Sequence, residues 1–363
     1  MADGANDRIA DSFTENSLDL QRVDAAQRRA IRAILRDLER ELAAQLTRED
    51  PAGAVRTATK QRRLERLLEQ VQDTIRASYR DAETTLAGEL RELADFEAGF
   101  AARAINAGVG FQLATVELTR NQVASLAQGV LVQGAPVSEW WSRQAGDTLA
   151  RFTDQMRRGI AQGETNAQLV RRIRGGTQGG EAVAGFMDIS RRNAESLVRS
   201  ATQAVAQRAR DETFQQNSDI IKAIIWLATL DTRTTVGCAA RDNLLYTVED
   251  KQPIDHDLPW DGGPGNRHWG CRSTSAPVLK TWREMGFDAD ELPPSTRASM
   301  DGQVPEDTRF EAWLERQRPS RQDAVLGPGR AELWREGGLS FRDLIDGNGR
   351  ELSVAELRAK VRD

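Results

Sequence analysis

A stripe of apolar side chains that recurs every three or four residues is the feature that most constrains how this chain folds. It runs through a segment from about Ala58 to Ile105 and comprises Leu64, Leu68, Val71, Ile75, Tyr79, Ala82, Leu86, Leu90, Leu93 and Phe100. This period places its members on one face of an α-helix, and about 40 residues of helix span about 60 Å. A second stripe of the same period lies within residues 18–48, and Pro51 separates the two. The two segments are therefore predicted to pair as a long antiparallel hairpin, or to pack on partner subunits.

Changes in composition and period divide the chain into six segments. The helical period continues beyond the hairpin until a short β-rich run, residues 220–228, replaces it. Such a run is typical of a buried strand. The predicted segments are a mobile N-terminus (1–17), a helical hairpin arm (18–107), a helical middle region (108–218), an α+β module (219–288), a linker rich in Pro, Asp and Ser (289–308) and a helical tail (309–363). The predicted fold class is mainly α with a small α+β module.

Composition and motifs argue against several classes of protein. Two cysteines in 363 residues are too few for a disulfide scaffold. No apolar run reaches the length of a membrane span and no secretory signal opens the chain, so no membrane association is expected. The sequence contains no phosphate loop, dinucleotide fingerprint, nucleophile elbow or His-Glu-x-x-His motif, and no catalytic residues are predicted.

The middle region carries an excess of positive charge. Residues 151–210 hold eleven arginines and five acidic residues, whereas the whole chain has a net charge of −5. Such a surface can meet DNA phosphates or an acidic partner, although charge on a helix usually serves solubility. The candidates for nucleic-acid or partner contact are Arg171, Arg172, Arg174, Arg191, Arg192 and Arg199.

Both cysteines and both histidines of the chain lie within residues 226–277. In this stretch Asp231, Arg233 and Thr234 follow the apolar run, where their side chains can hydrogen-bond a turning backbone. Arg233 is predicted to form a two-pronged ion pair with Asp231 or Asp242. These residues are interpreted as a polar staple that fixes the loop.

The cysteines are predicted to meet in space, with Cys238 at one end of a long loop and His268 and Cys271 at the other. One interpretation is a four-ligand structural zinc site. The second is a disulfide, which a reducing cytoplasm disfavours, and the third is a pair of buried thiols packed as small apolar groups. A catalytic Cys–His pair is a further hypothesis. The candidates for a fourth zinc ligand are His256, Asp255 and Asp257.

The pattern Asp-x-Arg-Thr, three residues, Cys, a variable loop and His-x-x-Cys-Arg closely resembles the signature of the Mu-type F head-morphogenesis proteins of tailed bacteriophages. The matching residues, called the signature residues below, are Trp226, Asp231, Arg233, Thr234, Cys238, His268, Cys271 and Arg272. The chain departs from the family pattern at the turn glycine, which is Asn243 or Leu244, at the proline after His, which is Trp269, and at the last cysteine, which is Ser273. The last departure removes a potential metal ligand. The resemblance covers roughly residues 140–358.

The resemblance implies a structural minor capsid protein, not an enzyme, in which the signature residues organise the module. It implies that the protein binds the portal inside the phage head and assists head assembly and genome packaging or delivery. Further candidate partners are the major capsid protein, the scaffolding protein and phage DNA. The protein would be made in the host bacterial cytoplasm and enter the virion. Two other functions stay open: a Cys/His- or metal-dependent enzyme carried in the head, and a DNA-binding packaging factor.

Overall fold

The computed structural model describes residues 3–114, 116–178, 181–286, 296–300, 302–305, 308–347 and 349–362. The structure is 64 % helical with a small four-stranded antiparallel sheet, which confirms the predicted fold class. The helices are α1 (Asp3–Glu49), α2 (Thr57–Val109), α3 (Arg120–Gly129), α4 (Val137–Ala161), α5 (Asn166–Arg174), α6 (Phe186–Gln216), α7 (Val236–Ala239), α8 (Phe310–Glu315), α9 (Pro319–Leu326), α10 (Pro328–Gly337), a 3₁₀ helix (Phe341–Leu344) and α11 (Val354–Arg362). The strands are β1 (Leu131–Val132), β2 (Ala135–Pro136), β3 (Gly175–Gln178), β4 (Glu181–Ala184), β5 (Ile221–Leu227), β6 (Leu245–Tyr246), β7 (Pro253–Ile254), β8 (Thr274–Leu279), β9 (Thr296–Ser299) and β10 (Gly302–Pro305).

Residue contacts divide the chain into two compact units. Unit 1 comprises Met1–Arg22, Glu92–Ala127 and Gln203–Asp363, and unit 2 comprises Val23–Arg91 and Gln128–Thr202. The helices α1, α2 and α6 contribute residues to both units. The candidate functional site lies wholly in unit 1.

Within each unit, α1 and α2 pair in antiparallel order, as their apolar stripes predict. In unit 1, Arg8 donates to the carbonyl of Gly108 at 3.1 Å, and Asn16 donates to Glu97 at 2.9 Å. In unit 2, Gln45 donates to the hydroxyl of Thr74 at 2.8 Å and Gln70 to the carboxylate of Glu49 at 3.2 Å. The residue numbers on one helix rise as those on the other fall, which is the order of a hairpin.

The prediction of a mobile N-terminus over residues 1–17 is wrong, because α1 begins at Asp3. Ala5, Ile9 and Phe13 recur every four residues and are buried in one apolar cluster that also contains Phe214. Burial of a large apolar side chain contributes about 1.5–3 kcal/mol, which offsets the entropy lost when the segment is ordered. The polar first residues concealed this short apolar repeat.

The four-stranded sheet has the order β7-β6-β5-β8, and its neighbouring strands are antiparallel. The strand β5 is the one that the β-rich run predicts. Leu227, the last residue of β5, lies opposite Thr274, the first residue of β8. The segment that follows β5 therefore starts beside the segment that precedes β8. The candidate site lies at this end of the two strands.

Two pairs of short strands lie in stretches where no strand was predicted. Much of the predicted linker 289–308 lies outside the described residues, namely 289–295, 301, 306 and 307, but β9 and β10 pair as an antiparallel hairpin within it. In the predicted helical middle region, β3 and β4 pair in the same way. A sequence rich in Gly, Ser and Thr predicts a turn, and it does not exclude the short strands that flank the turn.

The aromatic side chains of the tail are core residues. Phe310, Trp313 and Phe341 are buried, and they belong to one apolar cluster with Leu230 and Leu258 of the α+β module. Among the residues that the structure describes, no helix combines the length and the apolar character that crossing a membrane requires.

Candidate functional site

A bidentate ion pair between Asp231 and Arg272 fixes the two chain segments at the end of the sheet. Arg272 Nη2 donates to Asp231 Oδ1 at 2.8 Å, and Nη1 donates to Oδ2. Asp231 follows β5 and Arg272 precedes β8, so the antiparallel register of these strands brings the two side chains together. Both side chains are largely buried, at 15 % and 11 % exposure. Burial by itself raises the pKa of Asp231, but the hydrogen bonds and charge of Arg272 outweigh it and lower the pKa of this carboxyl.

The predicted two-pronged pair of Arg233 with Asp231 or Asp242 is wrong. The Arg233 side chain is 71 % exposed, and its Nη2 lies 3.8 Å from Asp231 Oδ2. Its backbone N–H, in contrast, donates to Asp231 Oδ1 at 2.9 Å. Asp242 accepts instead from the backbone N–H of Ala228 and from that of Phe310, both at 2.8 Å.

Two threonines complete the staple around Asp231. The Thr234 hydroxyl bonds the carbonyl of Thr229, and it lies 3.2 Å from Asp231 Oδ1. The Thr229 hydroxyl donates to the carbonyl of Arg272 at 2.9 Å. The structure thus places Asp231, Thr234 and Arg272 in one polar network across the two segments, as the staple interpretation requires.

Cys238, His268 and Cys271 meet, as the sequence predicts. Cys238 Sγ lies 3.3 Å from His268 Nε2 and 3.8 Å from Cys271 Sγ. Both cysteines are free thiols and are buried, with 1 % and 0 % exposure, while His268 is half-buried. Thr235 caps the short helix α7, because its side chain accepts from the backbone N–H of Cys238. A buried indole, Trp226, packs in the same cluster as the two cysteines.

The three groups shift one another's pKa. The Cys271 thiol and the His268 ring hydrogen-bond Cys238 Sγ, and they hold the pKa of Cys238 well below its ordinary value although burial opposes this. The contact with Cys238, together with burial, raises the pKa of Cys271 well above its ordinary value. The same contact raises the pKa of His268, against the effect of desolvation. The pKa values of the two thiols are shifted in opposite directions, so Cys238 is the more acidic of the two.

His256, the predicted fourth zinc ligand, is not part of this group. Its Nε2 donates to the carbonyl of Leu245 at 2.8 Å, and its Nδ1 accepts from the backbone N–H of Leu258 at 3.2 Å. Asp257 pairs with Arg342 at 2.6 Å. In the described part of the chain, the one group of potential metal-ligand atoms consists of Cys238, His268 and Cys271, which lie within 4.8 Å of one another.

A buried arginine beside the site was not predicted. Arg241 is fully buried, donates to the carbonyls of Gly237 at 2.7 Å and Pro259 at 3.1 Å, and lies with its guanidinium carbon 5.7 Å from the Trp226 ring centre. Burial, followed by the charge of Arg267, lowers its pKa. The sequence gives a weak indication that Arg241 is buried, because this arginine lies between the apolar residues 236–240 and 244–246.

The arginines predicted for DNA or partner contact are largely paired inside unit 2. Arg172 pairs with Glu164 at 2.6 Å, and Arg191 pairs with both Glu39 and Asp188. Arg174 and Arg199 lie 3.9 Å from Glu39 and 3.6 Å from Asp24, respectively. The side chains of Arg171 and Arg192 are exposed. Two acidic residues of α1, Glu39 and Asp24, therefore offset part of the charge that residues 151–210 carry, while Arg28 and Arg32 of the same helix pair with Glu195.

Together these features define a mainly helical protein with a small sheet. At the ends of two neighbouring strands, polar side chains and a Cys-His-Cys group join the two chain segments that leave the sheet. The family model described as phage Mu protein F like protein matches residues 150–276, a segment that contains all the signature residues. The match is consistent with a Mu-type F family protein and confirms the resemblance seen in the signature. No curated protein and no solved structure matches the chain. The family suggests a phage head-morphogenesis protein and implies a virion component.

Proposed function

We propose that this chain is a structural minor capsid protein that binds the portal inside the phage head. In this role it assists head assembly and genome packaging or delivery, after synthesis in the host bacterial cytoplasm. The observation that supports the proposal most directly is the family match over residues 150–276. The major capsid or scaffolding protein and phage DNA are further partners of the same proposed role.

Four signature residues are buried, namely Trp226, Thr234, Cys238 and Cys271, which favours a structural role over catalysis. Asp231 and Arg272 use their charges on one another, and Cys271 is fully buried. The tail packs against the α+β module, because the backbone N–H of its Phe310 donates a hydrogen bond to Asp242. A polar network whose members satisfy one another specifies one arrangement of the chain, which is what an assembly component needs when it presents a surface to a partner.

The test is genetic complementation of a phage that lacks the gene, combined with co-purification of the chain with the portal of that phage. We expect the wild-type chain to restore DNA-filled heads and to elute with the portal. Arg272→Met is expected to reduce both, because the staple is lost. Arg22→Met serves as the control and is expected to behave as wild type, since Arg22 lies outside the signature and its side chain is exposed. Normal filled heads without the protein, together with no portal association, would refute the proposal.

One geometric observation favours an alternative, an enzyme carried in the head. Cys238 Sγ lies 3.3 Å from His268 Nε2, a separation at which a histidine can activate a thiol nucleophile. This alternative predicts that Cys238→Ala leaves assembly and folding intact and abolishes an activity. The structural role predicts instead that the same substitution lowers stability or incorporation into heads.

The DNA-binding alternative makes a different prediction. Binding through arginines would weaken steeply as salt rises, because bound counterions are released from the phosphates. The ion pairs of Arg172 and Arg191 leave fewer free cations than the sequence count indicates. Weak, salt-independent association of the purified chain with duplex DNA at low ionic strength would exclude this alternative.

A further inference from the structure

We propose that Cys238, His268 and Cys271 bind one zinc ion, with solvent as the fourth ligand. The inference does not depend on portal binding, because it concerns a site inside unit 1. It also differs from the sequence-based hypothesis, in which His256 completes the ligand set, since both ring nitrogens of His256 already bond the backbone.

Two of the three distances between the donor atoms are those of a tetrahedral site. Zinc–sulfur bonds of about 2.3 Å and zinc–nitrogen bonds of about 2.0–2.1 Å, set at a tetrahedral angle, place two sulfurs about 3.8 Å apart and a sulfur and a nitrogen about 3.5 Å apart. In the structure, the two sulfurs of Cys238 and Cys271 are 3.8 Å apart, and Cys238 Sγ is 3.3 Å from His268 Nε2. The third separation also lies within 4.8 Å. Two of the three separations therefore already match a zinc site, and the distance from His268 Nε2 to Cys271 Sγ would settle at about 3.5 Å when zinc binds.

The histidine is oriented for coordination through Nε2. Its Nδ1 lies 3.0 Å from the carbonyl oxygen of Trp269, and a carbonyl can only accept, so Nδ1 carries a proton that it donates. A backbone acceptor on one ring nitrogen is the usual outer partner of a metal-bound histidine, because it fixes the tautomer and directs the other nitrogen to the metal. That other nitrogen of His268 faces Cys238 Sγ.

Two backbone groups would support a thiolate at Cys271 once zinc has replaced its proton. Backbone groups of Ser273 and Gly265 hydrogen-bond the Cys271 sulfur, and such donors stabilise negative charge on sulfur. Zinc would replace the thiol protons of both cysteines and any proton on His268 Nε2, and these protons would pass to solvent. Two thiolates and one dication then sum to zero charge, which suits a buried site.

The three protein ligands come from two segments that are far apart in sequence. Cys238 lies in α7, and the other two ligands lie in the loop that leads to β8. A metal that joins these segments would stabilise the folded state relative to the unfolded chain, because the site forms only on folding.

The experiment is elemental analysis of the full-length chain, purified without a metal-binding tag from cells grown with added zinc. About one zinc per chain is expected, the four-coordinate case, and Cys238→Ser, His268→Gln and Cys271→Ser are each expected to lose it. His256→Gln is the matched control, since it changes the other histidine of the chain, and it is expected to retain zinc. Equal zinc in wild type and Cys271→Ser would place the metal elsewhere and overturn the proposal.

A measurement on the wild-type chain keeps the test decisive if the variants do not fold. After removal of metal by a chelator, cobalt(II) is titrated into the protein and the absorption spectrum is recorded. The expected result is a thiolate-to-cobalt charge-transfer band with the intense visible bands of a tetrahedral site, saturating at about one cobalt per chain. Absence of these bands, with two reactive thiols or with an intact disulfide, would refute the site.

Discussion

A buried ion pair outside the signature, Arg210 with Glu97, is expected to be one of the most sensitive points of unit 1. Arg210 Nε lies 2.7 Å from Glu97 Oε2, and the two side chains are 1 % and 0 % exposed. Asn16 donates to both oxygens of Glu97, and Arg210 Nη1 donates to Thr274 Oγ1 at 2.5 Å. The pair therefore joins α1, α2 and α6 to the first residue of β8.

The magnitude follows from what each substitution leaves behind. Arg210→Met removes the cation and leaves the Glu97 carboxylate buried with only the amide of Asn16, which is expected to cost about 3–5 kcal/mol. Adding Glu97→Gln to this variant removes the remaining charge and keeps the shape of the side chain. Because replacing a whole buried pair is often close to neutral, the double variant is expected to be more stable than Arg210→Met by about 2 kcal/mol.

The assay is unfolding in guanidinium at neutral pH, followed by tryptophan fluorescence, for the wild type, both single variants and the double variant. Arg22→Met is the control, since Arg22 pairs with Asp19 at the surface, where the side chains are 86 % and 62 % exposed. That change is expected to stay within about 0.5 kcal/mol. A loss below about 1 kcal/mol for Arg210→Met, or a double variant no more stable than the single, would refute the reasoning.

Three further predictions concern single side chains. Arg272→Met is expected to lower the free energy of unfolding by about 2 kcal/mol, since it breaks charged hydrogen bonds, while Arg233→Ala stays within about 0.5 kcal/mol; denaturant unfolding at pH 7 measures both. The pKa of Asp231 is lowered in the folded state, so the contribution of this pair is present above the ordinary aspartate pKa of about 3.9 and is lost as the pH falls through the lowered value. The penalty of Arg272→Met should therefore shrink in acid, and a penalty independent of pH would contradict this. Phe13→Ala is expected to cost about 3–5 kcal/mol, and a smaller loss, within the range of surface changes, would mean that the start of α1 does not pack in the core. Thr165→Ala removes the capping box of α5 and should cost about 1 kcal/mol, read from the amide exchange of that helix.

The sequence predicted those helices and strands that depend on residues close to one another in the chain. The long stripe gave α2 because its apolar side chains lie on one face at helical spacing, and the β-rich run gave β5. Thr165 and Gln168 form a capping box at the start of α5, which is a purely local contact. The start of α1 was missed because the order there depends on contact between Phe13 and Phe214, which lie far apart in sequence.

The site was predicted as a set of residues more completely than as a set of contacts. Proximity in sequence favoured Arg233 as the partner of Asp231, but the partner is Arg272, which only the strand register brings near. Likewise, His256 carries the right chemistry for a ligand, and the hydrogen bonds that occupy both its ring nitrogens arise from the folded loop. Composition and spacing identify candidate groups, whereas the choice among them depends on tertiary packing.

The position of the staple follows from the topology of the sheet. β5 and β8 are direct neighbours, yet β6, β7 and a long polar loop lie between them in the chain. The entropic cost of closing such a loop grows only slowly with its length, so the length itself is tolerated, provided that contacts hold the two ends together. The Asp231–Arg272 pair holds the two ends of the loop together next to the strand ends. The contact of Cys238 with Cys271 holds them together farther along the loop. The signature residues from Asp231 to Arg272 therefore lie at the two ends of one loop, and Trp226 packs against the two cysteines from within β5.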